Sequence, residues 1–120
     1  MMPHHSDSAV LTFASRSFVG ECLKAGIRIL LYEGGMLHSK MMLVDDEFST
    51  VGSANVDFRS FEHNFEGNIM VYGADLNAEL RRRFTDAQSR STRVRATDWG
   101  RRPLPHKITE SIVRLLSPIL

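Results

Sequence analysis

Six residues at fixed spacing form the part of the sequence most suited to chemistry. They are His38, Lys40, Asp45, Gly52, Ser53 and Asn55, in the pattern H-x-K-x4-D-x6-G-S-x-N. Since each residue type makes up only a few per cent of an average protein, a chance match is on the order of 10⁻⁸ per position. The pattern therefore indicates a functional site.

His38 and Lys40 suit chemistry at an oxyanion. The pKa of an unperturbed imidazole is about 6.5. A histidine such as His38 can therefore act as a nitrogen nucleophile or a proton carrier near neutral pH. In an extended strand Lys40 would leave the same face, one step of roughly 6.6 Å away, where its ammonium could neutralise the oxyanion. Because this ammonium repels divalent cations and offers no lone pair, the pair predicts chemistry without a metal or another cofactor.

The segment Gly52-Ser53-Ala54-Asn55 has the composition of a tight turn. Glycine allows close approach of the backbone. The hydroxyl of Ser53 and the amide of Asn55 can donate hydrogen bonds to a phosphate oxygen. Together with His38 and Lys40, the turn predicts a pocket for a phosphoryl group, lined by one positive charge, neutral donors and one nucleophile.

Short strands and amphipathic helices are predicted to position these residues. Apolar runs predict strands over residues 27–32, 41–44, 48–51 and 66–72, with Asp45 at the polar exit of the second. Helical periodicity predicts helices over residues 8–25, 74–90 and 106–116, the last after Pro103 and Pro105. Strands interleaved with helices indicate an α/β fold, a mixed β-sheet with helices packed on its faces.

The helix over residues 8–25 has recognisable ends. Ser6, Asp7 or Ser8 can cap its first turn, and Gly26 suits its C-terminal end. Cys22 lies on its apolar face and, as the sole cysteine, is predicted to be an unpaired buried thiol.

The later helices have apolar stripes that predict their buried faces. The stripe of the 74–90 helix consists of Leu76, Leu80, Phe84 and Ala87. The stripe of the last helix consists of Ile108, Ile112 and Leu115 or Leu116, and Ile119 continues it. Packing onto the sheet is the expectation for this stripe, and membrane contact of the last six residues is the alternative.

Composition and charge fit one domain, residues 1–120. The hydrophobic content of 42% and the net charge of +1 are ordinary for a globular protein. The sequence contains neither a signal-peptide pattern nor an apolar run near 18 residues. Basic residues are concentrated from Arg81 to Lys107, which indicates a solvated face or contact with anionic lipid. Nucleic acid is not expected as a partner, because aromatic residues that could stack on bases, such as Trp99, are scarce among these charges.

The segments HSKMMLVDD, VGSANVDFRS and NFEGNI resemble the HKD motif of the phospholipase D superfamily. The flanking segments, from SDSAVLTF to the final VRLLSPIL, most resemble the C-terminal part of bacterial cardiolipin synthases. The resemblance covers nearly the whole chain and implies a phospholipase D-like lobe.

The resemblance also implies roles for residues. His38 would attack phosphorus or protonate the leaving alcohol, and Lys40 and Asn55 would hold the non-bridging phosphate oxygens, with support from Ser53. Glu66 would accept a hydrogen bond from the imidazole and so fix its tautomer and orientation. Asp45 belongs to the signature, but its place at a strand exit favours a structural role.

The motif count limits what the chain can do alone. Similar proteins carry two HKD motifs, one in each of two lobes, so that one histidine is the nucleophile and the other the general acid. None of His4, His5, His63 and His106 has a lysine two places on. The chain is therefore expected to start within a longer protein, to form its second lobe and to be inactive when isolated.

The implied function of that longer protein is cardiolipin synthesis at the bacterial cytoplasmic membrane. A phosphatidyl group would pass between phosphatidylglycerol molecules through a phosphohistidine. The alternative is a single-motif phosphodiesterase or nuclease. Its site would form in a two-fold homodimer that brings two His38 side chains together.

Overall fold

A computed structural model describes residues 1–5 and 8–116 of the chain. In chain order its elements are β1 (Met2–Pro3), α1 (Ala9–Ser17), α2 (Val19–Lys24), β2 (Leu30–Tyr32), β3 (Lys40–Val44), β4 (Phe48–Gly52), α3 (Phe58–Glu62), β5 (Asn68–Val71), α4 (Ala74–Ser89), β6 (Ser91–Arg93), α5 (Ala96–Gly100) and α6 (Leu104–Leu116). This mixture of strands and helices confirms the predicted α/β class, although the strands form two three-stranded sheets.

The chain divides into two compact units. The first comprises the described residues of Met1–Leu37 and Arg90–Leu120, and the second is His38–Ser89. In the first unit, β2 is the central strand, parallel to β1 and antiparallel to β6. The buried apolar side chains of the first unit are Ala14, Val19, Tyr32 and Val94.

The helix predicted over residues 8–25 is interrupted at Phe18. The Ser17 hydroxyl donates to the backbone oxygen of Ala14 at 2.6 Å, and the Phe18 N–H turns to the oxygen of Ser15 at 3.4 Å. A serine that bonds the preceding turn in this way competes with the regular helical pattern. The result is two shorter helices, α1 and α2.

Both outer ends of this helix pair follow the prediction. Ser8 caps α1 and accepts a bond from the Leu11 N–H at 3.4 Å, whereas Ser6 and Asp7 lie outside the described residues. Beyond α2, Gly26 has a φ of 81° and the Ile27 N–H donates to the oxygen of Cys22 at 2.9 Å, which is a Schellman ending.

The predicted burial of Cys22 and of the apolar stripe on the 74–90 helix is wrong in part. Cys22 is half-buried, not buried. In the 74–90 helix, which is α4, the stripe residue Leu76 is exposed, and the next residue, Asn77, is buried instead. Asn77 accepts a hydrogen bond from the buried hydroxyl of Ser49 and donates to the oxygen of Glu47 at 3.1 Å. These bonds draw Asn77 inward because a buried hydroxyl needs a partner.

The prediction that the apolar stripe of the last helix packs onto the sheet is wrong. Helix α6 packs against α1, and Ile108, Ile112 and Leu115 are 58, 59 and 79% exposed. Glu110 turns inward instead, because its carboxylate is bonded by the Arg102 guanidinium at 2.5 and 2.9 Å. A buried charge must face its partner, and this pair therefore sets which side of α6 is covered.

The start of α6 differs from the prediction. The helix begins at Leu104, two residues before the predicted start, since a proline is tolerated in the first helical turn. Ile119 lies outside the described residues. Across residues 1–5 and 8–116, no helix has the length and hydropathy needed to cross a bilayer.

Ion pairs account for several of the clustered basic residues. Arg81 is 2.8 Å from Asp46, and Arg82 and Arg83 both lie 2.8 Å from Glu79. These pairs are largely exposed. They support the interpretation of α4 as a helix with a solvated, salt-bridged face.

Candidate active site

The open end of the β3–β4 hairpin gathers most residues of the predicted site. Lys40, the first residue of β3, pairs with Gly52, the last of β4, and Gly52 pairs in turn with Asn68, the first of β5. This register brings three segments to one end of the sheet: the residues before Lys40, the turn after Gly52 and the residues before Asn68. The predicted site residues in those segments are His38, Ser53, Asn55 and Glu66.

Asp45 lies at the opposite end of the hairpin. It follows Val44, which pairs with Phe48, and it begins the turn between the two strands. At roughly 3.3 Å per residue, it is about 16 Å along the strand from Lys40. Its φ of 49° lies in the left-handed region, which aspartate tolerates better than most residues. This placement supports a turn-forming role for Asp45.

His38 and Lys40 differ in their environments. His38 is exposed and precedes β3, whereas Lys40 opens the strand and is half-buried. The Lys40 ammonium donates to the backbone oxygen of His38 at 3.1 Å. The strand thus begins at Lys40, and the bond holds a positive charge against the backbone of His38.

The carboxylate of Glu66 is the centre of a hydrogen-bond cluster. Its Oε2 accepts a bond from the Ser53 hydroxyl, and its Oε1 accepts bonds from the Ser60 hydroxyl at 3.0 Å and from the Asn64 amide at 3.2 Å. His38 is not among the Glu66 partners in the described part of the chain. The cluster fixes the acid from three directions, and the bond to the imidazole remains an inference from the family resemblance.

These bonds keep Glu66 ionised. They hold the pKa of its carboxyl below the ordinary value, with the bond from Ser53 contributing most, followed by those from Ser60 and Asn64. Partial burial opposes this shift, and the charge of Lys40 assists it. The carboxylate is therefore negative near neutral pH and can accept a further hydrogen bond.

The backbone amides of the small-residue turn are already satisfied. The N–H of Ser53 donates to the Gly67 oxygen at 3.0 Å, that of Ala54 to a side-chain oxygen of Asn68 at 3.4 Å, and that of Asn55 to the Ser60 hydroxyl at 3.1 Å. These bonds hold the turn in place. They also mean that side chains must supply the donors for a bound anion.

Gly52 allows these segments to approach closely. A Cβ at this position would lie 2.6 Å from the Asn68 Cα and closer still to the Gly67 oxygen. Contacts this short are not seen for real side chains. The predicted need for glycine at the start of the turn is therefore confirmed.

The exposed side chains at this end of the sheet suit a phosphoryl group. The Ser53 hydroxyl donates to Glu66, which makes Ser53 a support for the acid. The Asn55 amide is exposed, and with the Lys40 ammonium it can bind non-bridging oxygens, while the His38 imidazole can attack or protonate. Among residues 1–5 and 8–116, no three His, Cys, Asp or Glu side chains are grouped as metal ligands.

Sequence reasoning missed three residues of this cluster, namely Ser60, Asn64 and Asn68. A helix-start signal was present in Asp57, whose side chain caps α3 and accepts a bond from the Ser60 N–H at 2.7 Å. That signal agrees with a short helix in the segment DFRSFEHN, which the sequence predicts as a short helix or an irregular loop. It could not have shown that the Ser60 side chain turns toward Glu66, since this depends on pairing between distant strands.

Comparison with known proteins assigns the class of this domain. The chain belongs to the family described as Cardiolipin synthase, PLD-like domain, whose model matches residues 1–87. This match includes the whole segment from His38 to Glu66 and confirms the resemblance.

Curated relatives match over the full 120 residues. The chain is 42% identical to Cardiolipin synthase 1 of Staphylococcus aureus (strain COL) and 40% identical to the Major cardiolipin synthase ClsA of Bacillus subtilis (strain 168). It covers 24 and 25% of those proteins, so it spans about a quarter of their length. No solved structure matched the chain.

Proposed function

We propose that this chain is the second catalytic lobe of a cardiolipin synthase and contributes one histidine of a two-histidine site. The observation that carries the proposal is the register of β3, β4 and β5. It gathers an exposed imidazole, an ammonium, an amide and an ionised carboxylate at one end of a sheet. Relatives over the whole chain bear the name cardiolipin synthase, which supports phosphatidylglycerol as the substrate.

In the proposed reaction, an imidazole nitrogen attacks the phosphorus of one phosphatidylglycerol. The P–O bond to glycerol breaks, and the second histidine protonates the departing oxygen. The hydroxyl of another phosphatidylglycerol then gives its proton to that histidine and attacks the phosphohistidine. Cardiolipin is released and the first imidazole is free again. His38 supplies one of these two roles.

The other residues at this end of the sheet stabilise charge in the proposed reaction. Lys40 and Asn55 bind the non-bridging oxygens, on which negative charge increases as phosphorus is attacked. Glu66 accepts a hydrogen bond from the other ring N–H of His38. This bond fixes the tautomer of the imidazole and stabilises the imidazolium.

A partner lobe with the second motif completes the site in this proposal. Apolar side chains near the site residues support it: Val56 and Phe61 are 96 and 70% exposed, and Phe65 is fully exposed. Val56 follows Asn55 and Phe65 precedes Glu66 in the sequence, and exposed apolar surface beside a site is typical of a surface that another part of a protein covers. The longer protein is proposed to act at the bacterial cytoplasmic membrane, where its lipid substrate resides.

A chimera tests the proposal directly. This chain would replace the matching quarter of the Bacillus subtilis ClsA, and cardiolipin formation from phosphatidylglycerol vesicles would be measured with a chelator present. We expect activity that His38→Ala lowers on the order of 10³-fold or more. His63→Ala is the matched control, because His63 is exposed in the same unit and lacks the motif.

Two results would overturn the proposal. One is a folded chimera that forms no cardiolipin while the unaltered relative does. The other is a 120-residue chain that dimerises in sedimentation equilibrium and cleaves phosphodiesters in a His38-dependent manner. The second result would favour the homodimeric phosphodiesterase.

A further inference from the structure

Ser60 is the buried member of the cluster around Glu66. Ser60 is only 7% exposed, whereas Ser53 and Asn64, the other donors to this carboxylate, are exposed. Water can replace an exposed donor, but a buried hydroxyl that is removed leaves its partners without a substitute. Ser60 is therefore the donor whose loss the cluster can least compensate.

The Ser60 hydroxyl joins two parts of the proposed site. It accepts a bond from the Asn55 N–H at 3.1 Å and donates to Glu66 at 3.0 Å. Because its acceptor side faces a backbone N–H, its proton is directed to the carboxylate. The chain of bonds thus runs from the turn that bears Asn55 to the acid, in a single direction.

We propose that Ser60 is a positioning residue that locks the ionised Glu66 to the phosphate-binding turn. This inference rests on the proposed function and deepens it, since Ser60 acts through Glu66 and Asn55 and touches no substrate. Helix α3 serves to present this hydroxyl: Asp57 caps the helix and bonds the Ser60 N–H, which fixes the serine from its backbone side.

The inference predicts a specific change in pH dependence. The groups that face Glu66 are the donors Ser53, Ser60 and Asn64, with Lys40 as the neighbouring charge. All of them favour the ionised carboxylate. Without the Ser60 hydroxyl, the pKa of the Glu66 carboxyl rises, and any pH dependence that this carboxylate contributes moves upward.

The chain offers a matched control in Ser49. Ser49 is a buried serine of the same unit, and its hydroxyl donates to Asn77, away from Glu66. Ser49→Ala therefore removes a buried hydroxyl without altering the cluster. A purely structural role for Ser60 would make the two alanine variants alike in all but the degree of destabilisation.

The experiment measures two quantities for Ser60→Ala, Ser60→Cys and Ser49→Ala. The first is the titration of the Glu66 carboxyl carbon by NMR in the 120-residue chain. The second is the pH profile of kcat for cardiolipin formation by the chimera with the Bacillus subtilis ClsA. We expect Ser60→Ala to raise the Glu66 titration midpoint and to lower kcat about 10- to 100-fold, as for loss of a hydrogen bond to a charged group.

The variants separate the possible outcomes. Ser60→Cys fills nearly the same space with a weaker donor, so it should shift both quantities in the same direction by less, and it replaces the alanine variant if that fails to fold. An unchanged Glu66 midpoint in Ser60→Ala or Ser60→Cys overturns the inference. If the unaltered protein forms no cardiolipin, the proposed function fails. If the unaltered protein forms cardiolipin but Ser60→Ala and Ser49→Ala have the same pH profile, only the inference fails.

Discussion

Replacing Arg102 by alanine should strongly destabilise the protein. The Arg102 side chain is 22% exposed and bonds both oxygens of Glu110, whose side chain is 7% exposed, at 2.5 and 2.9 Å. Its Nε donates to the Trp99 oxygen at 3.1 Å, and its guanidinium carbon lies 3.4 Å from the centre of the Trp99 ring. Arg102→Ala removes all of these contacts and leaves a buried carboxylate without its counter-charge.

The magnitude follows from that unpaired charge. Breaking a buried ion pair by removing one partner costs about 3–5 kcal/mol, whereas an exposed pair such as Arg82 with Glu79 contributes about 0.2–1 kcal/mol. The entropy of unfolding for 120 residues is about 250 cal/mol/K, so each kcal/mol lowers the melting temperature by about 4 °C. Arg102→Ala should therefore melt about 12–20 °C below the unaltered chain.

Urea and thermal unfolding followed by circular dichroism would measure the effect, with Arg101→Ala as the control. Arg101 is the adjacent residue of the same type and is exposed, and its removal should change the free energy of unfolding by no more than about 0.5 kcal/mol. Replacing Arg102 and Glu110 together by methionine and leucine should recover most of the loss, since no charge is then buried. A difference below about 1 kcal/mol between the two single alanine variants would refute the reasoning.

Substitutions at Gly52 and Asp45 test the sheet that carries the proposed site. Gly52→Ala should cost about 1–3 kcal/mol in urea unfolding, because the added Cβ meets backbone atoms. Gly67→Ala places its Cβ more than 4 Å from other atoms and is the control; equal losses would contradict the packing argument. Asp45→Gly should leave stability and cardiolipin formation unchanged, while Asp45→Val should cost about 1–2 kcal/mol at its positive φ. Loss of activity in a folded Asp45→Gly variant would instead give Asp45 a chemical role.

Local patterns predicted β3, β4 and the long helix α4 well, whereas the short strands β1 and β6 were not predicted. The apolar run ending at Val44 and the run beginning at Phe48 are β3 and β4, and the helix predicted from Ala74 is α4. Their signals lie within each segment. The inward face of α6 could not be predicted in the same way, because it depends on Glu110 pairing with a residue outside the helix, and this pairing outweighs the apolar stripe.

The candidate site was predictable as a list of residues but not as an arrangement. The spacing of His38, Lys40 and Asn55 identified the segment, and the register of the sheet then brought those residues to one end. Sequence spacing carries no information on which side chains share a hydrogen bond across strands. For this reason the Ser60 hydroxyl and the direction of the Ser53 proton emerged only from the structure.

The distribution of hydrogen bonds is consistent with the proposed need for a partner lobe. The proposed displacement requires one group to attack phosphorus while another protonates the oxygen leaving on the opposite side, and a single imidazole cannot do both at once. Within the described residues, Glu66 and the turn after Gly52 are held by internal bonds, whereas the imidazole of His38 is exposed. The supporting groups are thus fixed within this unit, and the imidazole is open to solvent. In the proposed two-lobed site a second histidine would complete the pair, and exclusion of water from the phosphohistidine would favour transfer over hydrolysis.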